Sequence, residues 1–235
     1  TLSFGSRIWP GVFIIHANES RVNPTFFFRR AIKIVNGSVL STGPCPTNGS
    51  GPTVNCGLTI AAENPVYVQG DFNANSGGNG WSDAHVATSI VADAVTLLSN
   101  NWNDVNSFSM PYSIANRGAS TTWYRAAVVA GRGISFPQPA GSGTDFGTDG
   151  GVDNFLRYVE NWGGQNLHYQ GSLISLYYNR QAIGVFKCCN TLYRPPNRDY
   201  SFDVEFLQPQ LLPPRTPLFR DVNTPGFTQL LLPQQ

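Results

Sequence analysis

The chain has 235 residues, a formal net charge of +1 and only 12% charged residues. This length accommodates one large β domain or two small ones, and the weak charge excludes the basic surface typical of nucleic-acid-binding domains. No run of about 18 apolar residues occurs, so the sequence predicts no transmembrane helix. The polar surface must consist mainly of Asn, Ser, Thr, Gln and Gly, as is common in secreted bacterial β proteins.

Strand signals recur along the chain, each with β-branched or aromatic residues, period-two alternation and a Gly or Asn turn. They cover Ala31–Leu40, Gly57–Phe72, Ala84–Leu98, Thr121–Ala130 and His168–Tyr178. The third also fits a helical face, but its β-rich neighbours favour a strand. The pattern predicts a mainly β fold, a right-handed parallel β-helix-like solenoid in which each rung stacks on the next. A β-sandwich is the alternative.

One segment has a different period. The stretch Val152–Trp162 places five apolar residues on one helical face: Val152, Phe155, Leu156, Val159 and Trp162. Asp149 lies upstream as a candidate N-cap, and Gly163 follows as a stop. The sequence therefore predicts one amphipathic helix that packs onto the β-stack.

The chain from residue 195 onward is rich in Pro, which prevents long regular structure. We therefore divide the chain into a β-solenoid domain, residues 1–194 with the helix at 152–162, and an extended tail, residues 195–235. The tail should bury its apolar side chains on the same or a neighbouring chain. The candidate partner-binding residues are Phe206, Leu211, Leu212, Leu218, Phe219, Phe227, Leu230, Leu231 and Leu232.

The four cysteines form two groups. Cys45 and Cys56 bracket a loop rich in Pro, Gly, Asn and Thr, which a disulfide would stabilise by roughly 3 kcal/mol. Cys188 and Cys189 are adjacent and could form a vicinal disulfide, pair with other chains or stay reduced. Zinc is a rival interpretation for all four, but no CxxC pair occurs and no His lies nearby.

Carboxylates interleaved with glycine lie at Asp145, Asp149 and Asp153, a chemistry that suits Ca²⁺. The spacing matches neither an EF-hand nor a Gly-rich nonapeptide repeat, and Asp149 has a simpler role as a helix cap. A second set, Asp71, Asn73 and Asn75, fits a plain Asx-rich turn better than an ion loop. No cofactor is otherwise expected.

Candidate catalytic groups are sparse. The three histidines, His16, His85 and His168, lie in no nucleophile motif, so no catalytic residue is assigned. Asp199, Asp203 and Glu205 could supply paired carboxylates for glycoside hydrolysis if a groove separates them, although Arg198 could simply pair with one of them.

Aromatic side chains offer a route to sugar binding by stacking. The tryptophans are Trp9, Trp81, Trp102, Trp123 and Trp162. Trp162 belongs to the predicted helix and is better assigned to its buried face.

Five stretches of the chain are distinctive: GLTIAAENPVYVQGDFN, VADAVTLLSNNWND, GGVDNFLRYVENW, YQGSLISLYY and LLPPRTPLFRDV. Together they resemble an uncharacterised family of bacterial, Acidobacteria-like cell-envelope proteins associated with type IV pilus and minor-pilin components. The resemblance covers the chain from about Ala31 onward. It implies a β-helical ectodomain that follows a pilin-type hydrophobic segment. That segment is not in this sequence, so membrane contact is expected only through an upstream portion.

These observations together predict a non-enzymatic, extracellular structural or adhesive subunit of a bacterial surface appendage. Its expected partners are protein subunits of the same or a related assembly, as a homo- or hetero-oligomer, and not nucleic acid. The alternative is a β-helix protein that binds or cleaves carbohydrate.

Overall fold

The structure is a computed structural model that describes residues 12–15, 31–40, 57–74, 81–109, 113–133, 155–182, 192–213 and 216. Within these ranges the chain forms ten strands, one short α-helix and two 3-10 helices. The strands are β1 Val12–Ile15, β2 Ile32–Ile34, β3 Leu58–Ala62, β4 Val66–Gln69, β5 Thr88–Ala92, β6 Val95–Leu98, β7 Thr122–Ala130, β8 Leu156–Tyr158, β9 Asn166–Ile174 and β10 Asn197–Ser201. The helices are α1 Asp104–Ser109 and the 3-10 helices Val204–Leu207 and Pro209–Leu211.

The ten strands form two parallel sheets. Sheet A has the order β1-β3-β5-β7-β9-β10, and sheet B has the order β2-β4-β6-β8. Between β1 and β9 the chain alternates between the sheets, so each strand pairs with the strand two places earlier. The mainly β class is confirmed. The sandwich alternative is wrong, because sandwiches pair their strands antiparallel and every pair here is parallel.

Apolar side chains from the two sheets form the core. In sheet A, Ile60 pairs with Ile90, which pairs with Val128, and all three are at most 9% exposed. In sheet B, Val66 pairs with Val95. Each such side chain contributes roughly 1.5–3 kcal/mol by leaving water. Paired strands align these apolar side chains in columns. Apolar residues must therefore recur from strand to strand, but the number of residues between them need not be constant.

The amphipathic helix predicted over 152–162 is wrong for the residues that the structure describes. Leu156–Tyr158 forms β8, which pairs with β6, and Asn161 makes bridges on either side. Phe155 and Trp162 of the predicted face are buried, but Leu156 and Val159 are only half-buried. Arg157, Tyr158 and Glu160, which lie off that face, are buried as well. Strand β6 offers backbone hydrogen-bonding groups to this segment, so the segment forms a strand although its apolar residues have helical spacing. Spacing alone does not distinguish a short strand from a helix.

The segment Ala84–Leu98 forms β5 and β6, which confirms the strand interpretation over the helical one. Asp93 lies between the two strands. Its carboxylate accepts hydrogen bonds from the backbone N–H groups of Arg180, Gln181 and Ala182. Asn179 donates to the backbone oxygens of Asp93 and Gly131. This corner therefore joins turns from three successive passes of the chain.

The helix α1 was not predicted. It is short and mostly exposed, with Phe108 82% exposed. The Oδ1 atom of Asn103 accepts from the N–H of Asn106 and so caps its first turn. No helix in the described ranges combines the length and apolarity that crossing a membrane requires.

The described part of the tail folds back on its own chain. Residues 197–201 form β10, which pairs with β9 at the end of sheet A. Pro213 lies against Gly57, where a Cβ atom would come within 2.7 Å of the proline backbone. Phe206, Leu211 and Leu212 are half-buried there. Their partner-binding role stays a prediction, as does the domain boundary at 194, and the other six partner-binding candidates lie outside the described residues.

Candidate functional site

The outer face of sheet A gathers polar and aromatic side chains in two rows. Successive side chains of a strand point to opposite faces, and Tyr124 and Tyr169 are buried in the core. Their neighbours therefore point outward. The first row joins Trp123, His168 and Asp199, and the second joins Arg125, Gln170 and Ser201.

The first row is held by direct contacts. The rings of Trp123 and His168 stack with their centroids 3.7 Å apart. Nδ1 of His168 lies 2.6 Å from Oδ2 of Asp199, so the carboxylate fixes the orientation of the imidazole. The His168 side chain is 15% exposed and the Asp199 side chain 63% exposed. The row thus runs from a partly covered aromatic pair to an open carboxylate.

Arg125 anchors the second row and the loop that crosses it. Its Nε donates to Oε1 of Gln170 at 2.7 Å, and its Nη1 donates to Oδ1 of Asp83 at 3.0 Å. The guanidinium also lies 4.9 Å from the ring centroid of Trp81. Trp81 in turn meets Trp123 edge-on at 4.6 Å. A fully buried arginine therefore holds a tryptophan against the first row.

A second histidine lies at the edge of this face. Nε2 of His85 lies 3.0 Å from Oδ2 of Asp203 and 3.5 Å from Oε2 of Glu205. The side chain of Asp203 is 2% exposed, and its Oδ1 also accepts from the N–H of Glu205. One nitrogen of the imidazole therefore contacts two carboxylates from the tail.

Burial raises the pKa of Glu205 above its usual value. The neighbouring charge of Asp203 raises this pKa further, whereas His85 and Arg125 lower it. Glu205 is thus a half-buried carboxyl that takes up a proton more readily than an exposed glutamate does. We name the outer-face cluster of Trp81, Trp123, Arg125, His168, Gln170, Asp199 and the His85 group the sheet A face.

Asp71 and Asn73, the candidates for a second ion loop, make hydrogen bonds that hold the loop in place. Oδ1 of Asp71 accepts from the N–H of Trp123 at 2.9 Å. The amide of Asn73 donates to the oxygens of Val86 and Thr88. These contacts fasten the loop to β5 and β7, and Asn75 lies outside the described residues.

Other candidates are placed elsewhere. Trp162 is fully buried, which confirms its predicted burial, although the helix to which it was assigned is not formed. Trp102 donates through Nε1 to Asp104, at the start of α1. Outside the described residues lie His16, Trp9, the cysteines Cys45, Cys56, Cys188 and Cys189, and the calcium candidates Asp145, Asp149 and Asp153. In the described ranges no three His, Cys, Asp or Glu side chains are placed to hold a metal ion.

Sequence reasoning missed Arg125, Gln170 and Asp83. Arg125 carried a usable signal, because it is the one charged residue in the otherwise apolar and aromatic run TTWYRAAVVA. A charged side chain in a strand that the sequence pattern predicts to be buried needs hydrogen-bonding or ionic partners. The partners themselves come from distant segments, so the sequence could not name them.

Comparison of this chain with protein-family models, with curated proteins and with solved structures gives no match.

Proposed function

We propose that this chain is an extracellular, adhesive surface subunit that binds carbohydrate on the sheet A face. The observation that carries the proposal is the in-register row of Trp123, His168 and Asp199. A sugar ring has apolar C–H faces rimmed by hydroxyl groups. Such a ring suits a site where aromatic rings lie beside an open carboxylate and an amide, here Asp199 and Gln170.

The proposed architecture is a β-solenoid. The parallel pairing, the alternation between two sheets and the stacked corner at Asp93 and Asn179 support it. Such a stack presents a long, rigid face on which side chains of successive strands stand at fixed spacing. That regularity suits a repeating polymer such as a polysaccharide.

We propose binding without cleavage, with no cofactor. A glycosidase holds its sugar between two carboxyl groups. Here Nε2 of His85 contacts both Asp203 and Glu205, so the two carboxylates are engaged by one imidazole nitrogen. Asp199 is likewise engaged with His168. The carboxylates therefore serve as anchors and hydrogen-bond acceptors.

A glycan array followed by calorimetry tests the binding proposal. The wild type should bind at least one glycan class. Trp123→Ala and Asp199→Asn should each weaken that binding by about tenfold or more, the loss of roughly 1.4 kcal/mol. Trp102→Ala is the matched control, because Trp102 lies near α1 and should leave binding unchanged. Wild-type protein that binds no glycan, or binding that survives both outer-face variants, would refute the proposal.

Cleavage has its own readout. The bound glycan is incubated with wild-type protein and with Glu205→Gln, and new reducing ends are measured. We expect none from either protein. Turnover by the wild type that disappears in Glu205→Gln would overturn the non-enzymatic part of the proposal while leaving the binding part intact.

Self-assembly is a second candidate function, favoured by one edge of sheet A. Strand β10 covers only Asn166–Gln170 of β9. Beyond it, Leu173 and Ile174 are 42% and 37% exposed, and Leu176 is 78% exposed. An exposed apolar strand edge is a docking surface for another chain. Because all of the described strands pair in parallel, a second copy stacked head-to-tail continues the same pairing and forms an open filament.

Sedimentation velocity tests this assembly. Wild-type protein should form concentration-dependent oligomers, and Leu176→Arg should shift it towards monomer. Val39→Arg, at an exposed apolar residue that follows β2, is the control. A wild type that stays monomeric over the micromolar range would end the assembly proposal. The extracellular location and the pilus association rest on the low charge and on the family resemblance described above.

A further inference from the structure

Strand β10 covers part of one edge of β9. Strand β9 is nine residues long, Asn166–Ile174, and β10 pairs with its first five residues, Asn166–Gln170. On the opposite edge, β7 pairs with residues 167–174 of β9. Among the described strands, one edge of β9 is thus paired along almost its whole length, and the other along about half of it.

Strand β10 has the composition of a protected sheet edge. It is five residues long, contains Arg198 and Asp199, and is exposed at every position. Pro195 and Pro196, which lack a backbone N–H, come directly before it. Short strands with charged residues and nearby prolines accept a further strand poorly, and solenoids need polar caps at their ends. These features are those of a capping strand.

Strand β9, in contrast, has the features of an interior strand. Its side chains Leu167 and Tyr169 are buried in the core, and Leu173 and Ile174 are exposed beyond the end of β10. A second copy that paired with the whole of β9 would gain a longer backbone edge and would cover these two apolar residues. Removal of β10 therefore converts a capped end of sheet A into an open one.

The tail holds β10 in place through few buried residues. Of residues 197–213, only Asp203 and Pro213 are buried. The carboxylate of Asp203 lies 3.0 Å from Nε2 of His85, and Pro213 lies against Gly57. The two 3-10 helices between these anchors contain no buried residue. Segments with so few buried contacts open at a lower free energy than the core does.

We propose that β10 is a removable cap that regulates self-assembly. While Asp203 anchors the tail, β10 blocks the edge of β9, and release of the tail opens that edge to a second copy of this chain. This inference rests on the self-assembly proposed above. The incoming strand is β1 of the second copy, because β1 ends sheet A on the opposite side and the described strands all pair in parallel.

Sedimentation velocity of Asp203→Ala tests the anchor. Only molecules with a released tail present the open edge, so the apparent dissociation constant of wild type is raised by the rarity of that state. Asp203→Ala should therefore lower this constant by about tenfold or more. Hydrogen exchange at the amides of Glu205 and Phe206 verifies that the tail is released. Asp104→Ala is the matched control, because it removes an exposed carboxylate that pairs with Lys33 at the start of α1.

A disulfide between β9 and β10 tests the cap in the opposite direction. Asn166 and Asn197 are partners in the register, and their side-chain amides lie 3.3 Å apart. Neighbouring strands are about 4.8 Å apart, which a disulfide can span. The oxidised double variant Asn166→Cys with Asn197→Cys should stay monomeric, and its reduced form should associate as wild type does. Asn166→Cys alone, treated alike, controls for the native cysteines.

The outcomes separate the cap from self-assembly itself. Equal association of wild type and Asp203→Ala, with the tail shown to be released, would overturn the cap and leave self-assembly standing. Association of the oxidised double variant to the same extent as its reduced form would do the same. If neither wild type nor Asp203→Ala associates, self-assembly and its regulation by β10 are both refuted.

Discussion

His85 and Asp203 meet across 118 residues of sequence, with Nε2 of the imidazole 3.0 Å from one carboxylate oxygen and 3.1 Å from the other. Asp203 is also the N-cap of the 3-10 helix Val204–Leu207, since its side chain accepts from the N–H of Glu205. One buried carboxylate therefore starts the helix and fastens the tail to the segment that precedes β5.

Replacing Asp203 with alanine should release this part of the tail. The change leaves His85 without its buried partner and removes the cap, which together should cost about 3 kcal/mol. Hydrogen exchange at the amides of Glu205 and Phe206 measures the release directly. Asp199→Ala removes an exposed carboxylate and should cost less than about 1 kcal/mol. Equal protection of these amides in wild type and Asp203→Ala would contradict the anchoring role.

Glu160 should make stability depend on pH in a defined window. Its folded pKa of about 7 lies above the ordinary value of 4.5, so the folded state binds a proton that the unfolded state releases. The favourable contribution is complete below about pH 4.5 and is lost as the pH rises to about 7. The loss is on the order of 3 kcal/mol.

Urea unfolding at pH 5 and pH 8 tests this assignment. Glu160→Gln keeps the shape and cannot ionise, so it should remove most of the difference between the two pH values. Glu63→Gln, at an exposed glutamate, should leave the difference as it is in the wild type. A pH dependence that is the same in Glu160→Gln and wild type would show that other groups cause it.

Gly171 lies in β9 with φ 153°, where a Cβ atom would overlap the carbonyl oxygen of Ala126 on β7. Gly171→Ala should therefore destabilise the fold by more than about 2 kcal/mol, because strand β7 or β9 must shift. Gly118→Ala is the control, since nothing lies within 4 Å of its added Cβ atom. Denaturant midpoints of the two variants decide the matter, and equal midpoints would be inconsistent with this close approach.

Arg125→Lys should loosen the packing of Trp81 against Trp123 within the sheet A face. Lysine keeps the charge but cannot bond Gln170 and Asp83 with one planar group. We expect a loss of about 2 kcal/mol, and glycan binding should weaken as it does in Trp123→Ala. Arg180→Lys, at an exposed arginine, is the control. Unchanged stability and binding in Arg125→Lys would show that the buried guanidinium does not organise this face.

The sequence by itself determined where most strands lie. Alternation and turn residues are local features, so segments such as Thr121–Ala130 and His168–Tyr178 agree with β7 and β9 to within a few residues. The same segments contain the Gly and Asn turn residues that the pattern requires, and Asn36 and Gly70 among them have positive φ values. The hypothesis of paired carboxylates among Asp199, Asp203 and Glu205 stays a prediction, and the structure places Asp199 at His168 and the other two at His85.

Tertiary structure decided everything that depends on which strands become neighbours. Leu156–Tyr158 has helical spacing and becomes a strand because β6 offers it a hydrogen-bonded edge. The parallel pairing and the contact of His85 with Asp203 join segments far apart in sequence. Spacing along the chain carries no information about such pairs when the intervening stretches differ in length. For that reason the sequence singled out Trp81, Trp123 and Asp199, whereas only the pairing of the strands showed that Arg125 and Gln170 belong to the same face.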